Sequence, residues 1–190
     1  MRFIILVFII ILQITPCLYS QSINFFKEDM SFILIGDTLH VKGVYYFSNN
    51  SSRPAMTFLF FPIKDFLKST IRESITVFDL KEKKPVKVTV GNKKGILFPL
   101  SLEPYDTAIY HIEYSQKLLS DTLHYFLTTT AKWNKPLLRA IYKLITRKNV
   151  NIKSFSFSPD TMYAKGNLKI YLWEKRNFMP SKDFVVVLQK

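Results

Sequence analysis

Three histidines, fourteen carboxylates and one cysteine are the groups in this 190-residue chain best suited to catalysis or metal binding. Their spacing assembles no recognisable centre. His40, His111 and His124 each fall within strand-like sequence, with no H-E-x-x-H and no pair at metal-ligand spacing, so each reads as a strand-face or core residue. The serines lack a G-x-S-x-G setting, and Gly36, Gly43, Gly91, Gly95 and Gly166 form no phosphate-cradling loop. Glu28 and Asp29, with Asp37, have the chemistry for calcium but not the D-x-D-x-D-G loop that organises it. Any two acids that meet in space could form a carboxylate pair for glycoside hydrolysis, which leaves a cell-envelope hydrolase as the alternative reading. No catalytic residue, cofactor or metal site is expected.

What is left is recognition. Trp133, Asn134 and Lys135 lie in YFLTTTAKWNKPLLRA (residues 125–140), the least generic stretch of the chain. In this polar setting they are the candidate contact surface, because an exposed indole marks a place where something binds. The other aromatics, with 17 Phe and 10 Tyr in the chain, read mainly as core and cross-strand filling. Tyr45-Tyr46-Phe47, Tyr110 and Tyr114 could also line a carbohydrate or peptide groove.

The chain begins MRFIILVFIIILQITPCLYSQ: a basic Arg2, an apolar run over residues 3–12, Pro16, and a small Ser20 before Gln21. That order predicts a signal peptide over residues 1–20 and export to the periplasm or cell surface. The run is too short for a membrane span of roughly 20 residues. A retained anchor and lipidation at Cys17 are the alternatives; Leu18 weakens the cut site and Pro16 weakens the lipidation motif. Cleavage after Ser20 leaves no cysteine, so the exported part must rely on core burial rather than disulfides. The net charge of +13 is carried mostly by scattered lysines, dense only at Lys81, Lys83, Lys84 and Lys87 and at Lys93 and Lys94. It reads as solvated surface charge with no nucleic-acid partner, and weak attraction to an anionic cell surface stays open.

These candidates must be positioned by strands. Residues 31–35 end in the turn Gly36-Asp37; residues 39–47 form a strand whose alternation is expected to slip at Gly43, through a bulge or a close backbone approach. The polar run at residues 48–52, with its overlapping N-x-S sequons, reads as a turn. The continuous apolar run over residues 56–61 predicts a strand covered on both faces. Residues 74–80 and the alternating Val86, Val88 and Val90 follow, and residues 91–95 read as a hairpin loop. Residues 96–102 and 108–115 are further strands, with Ala108, Tyr110, Ile112 and Tyr114 on one face. Residues 137–145 fit helix or strand and are read as strand from their surroundings. Residues 152–157, 168–173 and 184–188 complete about ten short strands, which predicts an all-β antiparallel sandwich, a single domain over residues 21–190.

Three segments in this order carry a resemblance: FLFFPIKDF (residues 58–66), LTTTAKWNKPLLRA (127–140) and YLWEKRNFMPSKDFVV (171–186). The chain resembles uncharacterised exported bacterial proteins with a threonine-rich strand, Trp-x-x-Pro-Leu and a late Asn-Phe-x-Pro. The matching positions are Phe61, Pro62, Trp133, Pro136, Leu137, Trp173, Asn177, Phe178, Met179 and Pro180. More distantly, its first half, residues 25–114, is similar to the N-terminal β-sandwich domain of zinc aminopeptidases. That likeness implies a sandwich without catalysis, because the zinc-binding domain is missing. The expected role is a non-enzymatic binding or assembly module of the cell envelope, its partner another exported protein docked on a strand edge. An aminopeptidase-like accessory domain is the further alternative.

Overall fold

A computed structural model describes residues 22–91 and 94–189. The expected leader, Cys17 and its alternatives lie outside the described residues. The elements are β1 (Ile23–Ile35), β2 (Thr38–Asn49), β3 (Ala55–Pro62), α1 (Phe66–Ser69), β4 (Thr70–Asp79), β5 (Lys84–Pro85), β6 (Thr89–Gly91) and β7 (Gly95–Leu102). They continue as β8 (Thr107–Lys117), β9 (Thr122–Tyr125), a 3-10 helix (Thr128–Trp133), β10 (Leu137–Arg147), β11 (Ile152–Phe155), β12 (Thr161–Lys165), β13 (Leu168–Phe178) and β14 (Phe184–Leu188). The fold is all-β, as expected, with more strands than the ten foreseen and with β1 thirteen residues long. Among the described residues, no helix is long and apolar enough to cross a membrane.

One layer is an eight-stranded sheet in the order β12-β13-β10-β1-β2-β8-β4-β5, and two three-stranded sheets, β11-β14-β9 and β3-β7-β6, accompany it. Both small sheets lie on the same face of the large one. Phe32 of β1 stacks on Phe184 of β14 at 4.9 Å between centroids, and Tyr45 of β2 meets Phe61 of β3 at 5.5 Å. The opposite face of the large sheet carries Lys27, Asp29, His40, Lys42, His111 and Glu113, tied by contacts such as His40 Nδ1 to Ser115 Oγ at 2.8 Å and Lys42–Glu113 at 3.1 Å. Antiparallel sheets with one wet face require this alternation. Every adjacent pair is antiparallel except β1 and β10, which run parallel from Lys27 opposite Arg139 to Ile33 opposite Ile145.

Four local expectations change. The alternation of β2 does not slip at Gly43: Leu39, Val41, Gly43, Tyr45, Phe47 and Asn49 all point inward. Gly43 is instead a close approach, since a Cβ there would stand 2.4 Å from Met30 Sδ and 2.6 Å from the Tyr45 hydroxyl. The slip sits in β1, where Phe25 pairs with Phe47 and Lys27 with Tyr46, leaving Phe26 as the extra residue of a bulge. The run over residues 56–61 is covered on one face only; Met56 and Phe58 are 73 % and 68 % exposed, because β3 ends its sheet and nothing lies over it. Val86 and Val88 fall between β5 and β6, since the chain there leaves the large sheet for a small one, and one strand cannot serve both. The threonine run is a 3-10 helix rather than a strand.

Asp183 explains that helix. Its Oδ1 accepts hydrogen bonds from the amides of Leu127 (3.0 Å) and Thr128 (2.9 Å) and from the Thr128 hydroxyl (2.7 Å), satisfying donors that the first turn leaves free. Burial pushes the Asp183 carboxyl up, but these donors outweigh it and hold it below the usual range. Asp183→Ala is expected to cost about 1–2 kcal/mol at pH 7, read as a lower urea midpoint at unchanged slope.

Candidate functional site

The bulge at Phe26 sets the site. Ile23 and Phe25 point inward, and so do Met30, Phe32 and Leu34, which are out of phase with them by one residue. The extra residue absorbs that difference and turns Glu28 into the core, 2 % exposed, while Lys27 and Asp29 pair at 2.9 Å on the wet face. A buried carboxylate needs donors. The Tyr142 hydroxyl from β10 donates to Glu28 Oε1, and the Tyr125 hydroxyl from β9 also favours its charge. Tyr125 in turn shares a 2.9 Å hydrogen bond with the Tyr45 hydroxyl. Burial pushes the Glu28 carboxyl up to about 7, ahead of the opposing effect of these hydroxyls. Burial also lifts all three phenols well above their ordinary value, so the cluster holds one titratable proton near neutrality.

Glu28 and Tyr125 form the floor of a cavity of about 70 Å³ that opens between β3 and the 3-10 helix. Phe25, Phe47 and Trp133 line one wall, and Leu59 and Phe61 of β3 line the other. Half-buried Thr129 stands at its rim, and the buried Thr130 completes the lining. β7 pairs with one edge of β3 and the other edge has no strand partner among the described residues; β3 lines the cavity together with Phe98 of β7 and the 3-10 helix.

Trp133 is half-buried rather than protruding; its indole packs 6.0 Å from Phe25 and 5.7 Å from Phe47 between centroids. Asn134 ends the helix in the left-handed region (φ 53°), and Lys135 is exposed beside it. The family-signature residues divide into two groups. Phe61, Pro62 and Trp133 meet at the cavity, whereas Leu137 pairs with Phe178 across β10 and β13, and Trp173 is buried against Phe184 at 4.9 Å with its Nε1 donating to Phe157 O at 2.9 Å. Asn177 adopts φ 47° near the end of β13, Met179 is 41 % exposed, and Pro136 and Pro180 flank the strand ends. Glu28, Tyr45, Tyr125 and Tyr142 were not singled out together by sequence. The odd spacing from Phe25 to Met30 between two inward-facing runs is the signal that would have placed Glu28 inside.

His40 and His111 lie on the wet face. His124 on β9 contacts Asp183 at 3.2 Å, yet burial, its largest influence, lowers its pKa from the ordinary value, so near pH 7 a neutral imidazole meets the Asp183 carboxylate. Among the described residues, no three His, Cys, Asp or Glu side chains are grouped to hold a metal ion.

No family model and no curated protein sequence matches this chain. Its fold does have counterparts among solved structures. It is similar to a candidate nutrient-binding protein of Legionella pneumophila, with a TM-score of 0.68 and 15 % identity over 88 % of this chain and 67 % of that one. It is also similar to a two-domain M1 zinc metallopeptidase variant bound to L-tryptophan, with a TM-score of 0.56 and 9 % identity. The same peptidase variant bound to L-arginine gives 0.53 and 10 %. Both peptidase matches cover 88 % of this chain and 43 % of the other, so the chain spans less than half the length of these peptidases. The expected likeness to zinc peptidases is therefore present in the fold, and it extends well beyond the first half of the chain.

Proposed function

We propose that this chain is a non-enzymatic binding module of the cell envelope that takes an apolar group of its partner into the cavity beside Trp133. The observation that carries this reading is a partly open, aromatic-walled cavity lined in part by β3, a strand with one unpaired edge among the described residues. Apolar concavities with few polar groups are the usual form of binding sites. Hydrolysis by paired carboxylates needs two acids across a substrate, and among the described residues Glu28 is the sole acid lining this cavity, engaged by tyrosines. The likeness to a candidate nutrient-binding protein favours binding over catalysis, and the leader motif favours export.

Isobutanol, a mimic of an aliphatic side chain, is expected to shift the methyl NMR signals of Leu59 and Ile112 in a saturable way. Thr129→Phe, which fills the rim, should abolish the shift, and Trp133→Ala should weaken it at least about threefold by removing one wall. Saturable shifts confined to methyls elsewhere, or shifts that both variants leave untouched, would contradict the reading. Detection of a mature N-terminus at Gln21 checks export and excludes a lipid on Cys17.

A further inference from the structure

Natural sheets protect their edges with charge, proline, bulges or brevity. Most edges of this domain follow that rule: β5 has two residues, β6 has three, β11 carries Lys153 and β12 carries Lys165. β3 does not. Residues 55–61 read AMTFLFF, without a charge or a bulge, and pair with β7 residue for residue from Ala55–Leu102 to Pro62–Gly95. Among the described residues, no hydrogen bond reaches its other edge. On its outer face Met56, Phe58 and Phe60 stand exposed; its inner face leads to the cavity through Leu59 and Phe61.

The surroundings of this edge are basic. Phe60, Pro62 and Leu67 share a surface depression with Lys64, Lys68 and Lys94, in which Asp65 is the sole acid among the described residues. Lys132 and Lys135, both exposed, flank Trp133 in the chain, and Trp133 lines the cavity. None of these five lysines forms an ion pair among the described residues, whereas Lys27, Lys42, Lys81, Lys84 and Lys175 do.

We infer that β3 is completed by an extended, acidic segment of a partner protein, which adds as a strand to its free edge and places one aliphatic side chain in the cavity. The inference rests on the cavity being a binding site and names what fills it. Strand addition supplies affinity through the main chain, and alternate side chains supply selectivity. Successive residues of the added strand would point inward to the cavity and outward to Phe58 and Phe60, which accounts for apolar character on both faces of β3. The cavity of about 70 Å³ suits a branched aliphatic group better than a ring. The five lysines select carboxylates on the segment. A second copy of this chain, with a net charge of +13, is a poor occupant for the same reason.

Fluorescein-labelled decapeptides of alternating Glu and Thr with a central Leu test this by anisotropy at physiological salt. The Leu peptide is expected to bind. A central Ala should weaken it at least about tenfold, N-methylation of alternate amides should do the same by removing strand pairing, and Lys in place of Glu should abolish binding. Met56→Thr with Phe58→Thr, which alters outward side chains only, should weaken binding without changing the urea midpoint by much. Equal binding of the N-methylated peptide overturns strand addition, and equal binding of the Lys peptide overturns acidic selection. If no peptide binds while isobutanol still shifts Leu59 and Ile112, the peptide inference falls and the cavity reading stands; if neither happens, both fall. Binding to phosphatidylglycerol vesicles that the Met56 and Phe58 changes abolish, without peptide binding, assigns the face to a membrane surface and overturns the inference.

Discussion

Between pH 4.5 and pH 8, Glu28→Gln is expected to gain stability over the parent by on the order of 3 kcal/mol. The buried carboxyl keeps its proton up to about 7, while in the unfolded chain it loses it near 4.5. In that window the folded state binds more protons than the unfolded state, so the parent loses stability as pH rises, and the loss is complete above about 7. A difference of this size in pKa corresponds to roughly 3 kcal/mol. Glutamine keeps an acceptor for the Tyr142 hydroxyl and carries no charge, so its stability lacks this dependence. Other acids, such as Asp106, Asp160 and Asp183, are held below their ordinary values and contribute an opposite slope at lower pH. Both proteins contain them, so they cancel in the difference. Urea unfolding of the pair at half-unit pH steps measures it, and parallel stability curves would refute the buried, protonated Glu28.

Gly43→Ala should cost about 2–4 kcal/mol, a large effect for one methyl group. Tyr45, two residues along the same face, folds its ring back over Gly43, and Met30 reaches in from β1 opposite. A Cβ would stand 2.4 Å from Met30 Sδ and 2.7 Å from Tyr45 Cε2, closer than real contacts allow. Relief requires the Tyr45 ring to move, which breaks its 2.9 Å bond to the Tyr125 hydroxyl and disturbs the floor of the cavity. The cost is therefore overpacking plus a buried hydroxyl without a partner. Equilibrium unfolding reads it; a loss below about 0.5 kcal/mol would mean that Tyr45 does not occupy this space.

These two residues show what sequence could and could not reveal. Alternation in residues 108–115 is visible in sequence, because a half-buried strand writes its two-residue period into its side chains; residues 137–145 fit helix or strand by pattern, and only their surroundings gave the strand that is present. Gly43 was recognised as irregular, but a glycine says only that a Cβ is missing, not what occupies the space. The slip it suggested belongs to Phe26 on the neighbouring strand. The apolar run at residues 56–61 looked doubly covered because composition carries no record of whether a neighbouring layer exists. Glu28 read only as an acid beside Asp29 with the chemistry for calcium, since its burial depends on a bulge upstream and on tyrosines 97 and 114 residues away. The threonine run looked like a strand because its helical turn is dictated by Asp183, 55 residues further on. The unusual stretch around Trp133 was legible as a place to look; the cavity it closes was not.

Hydrogen exchange in the presence of saturating Leu-centred acidic decapeptide tests the binding surface most directly. The account predicts slowed exchange in β3 and in the 3-10 helix from Thr128 to Trp133, with β12, at the far edge of the large sheet, unchanged. Slowing confined to β12 or to the wet face of the large sheet, with β3 unaffected, would contradict it.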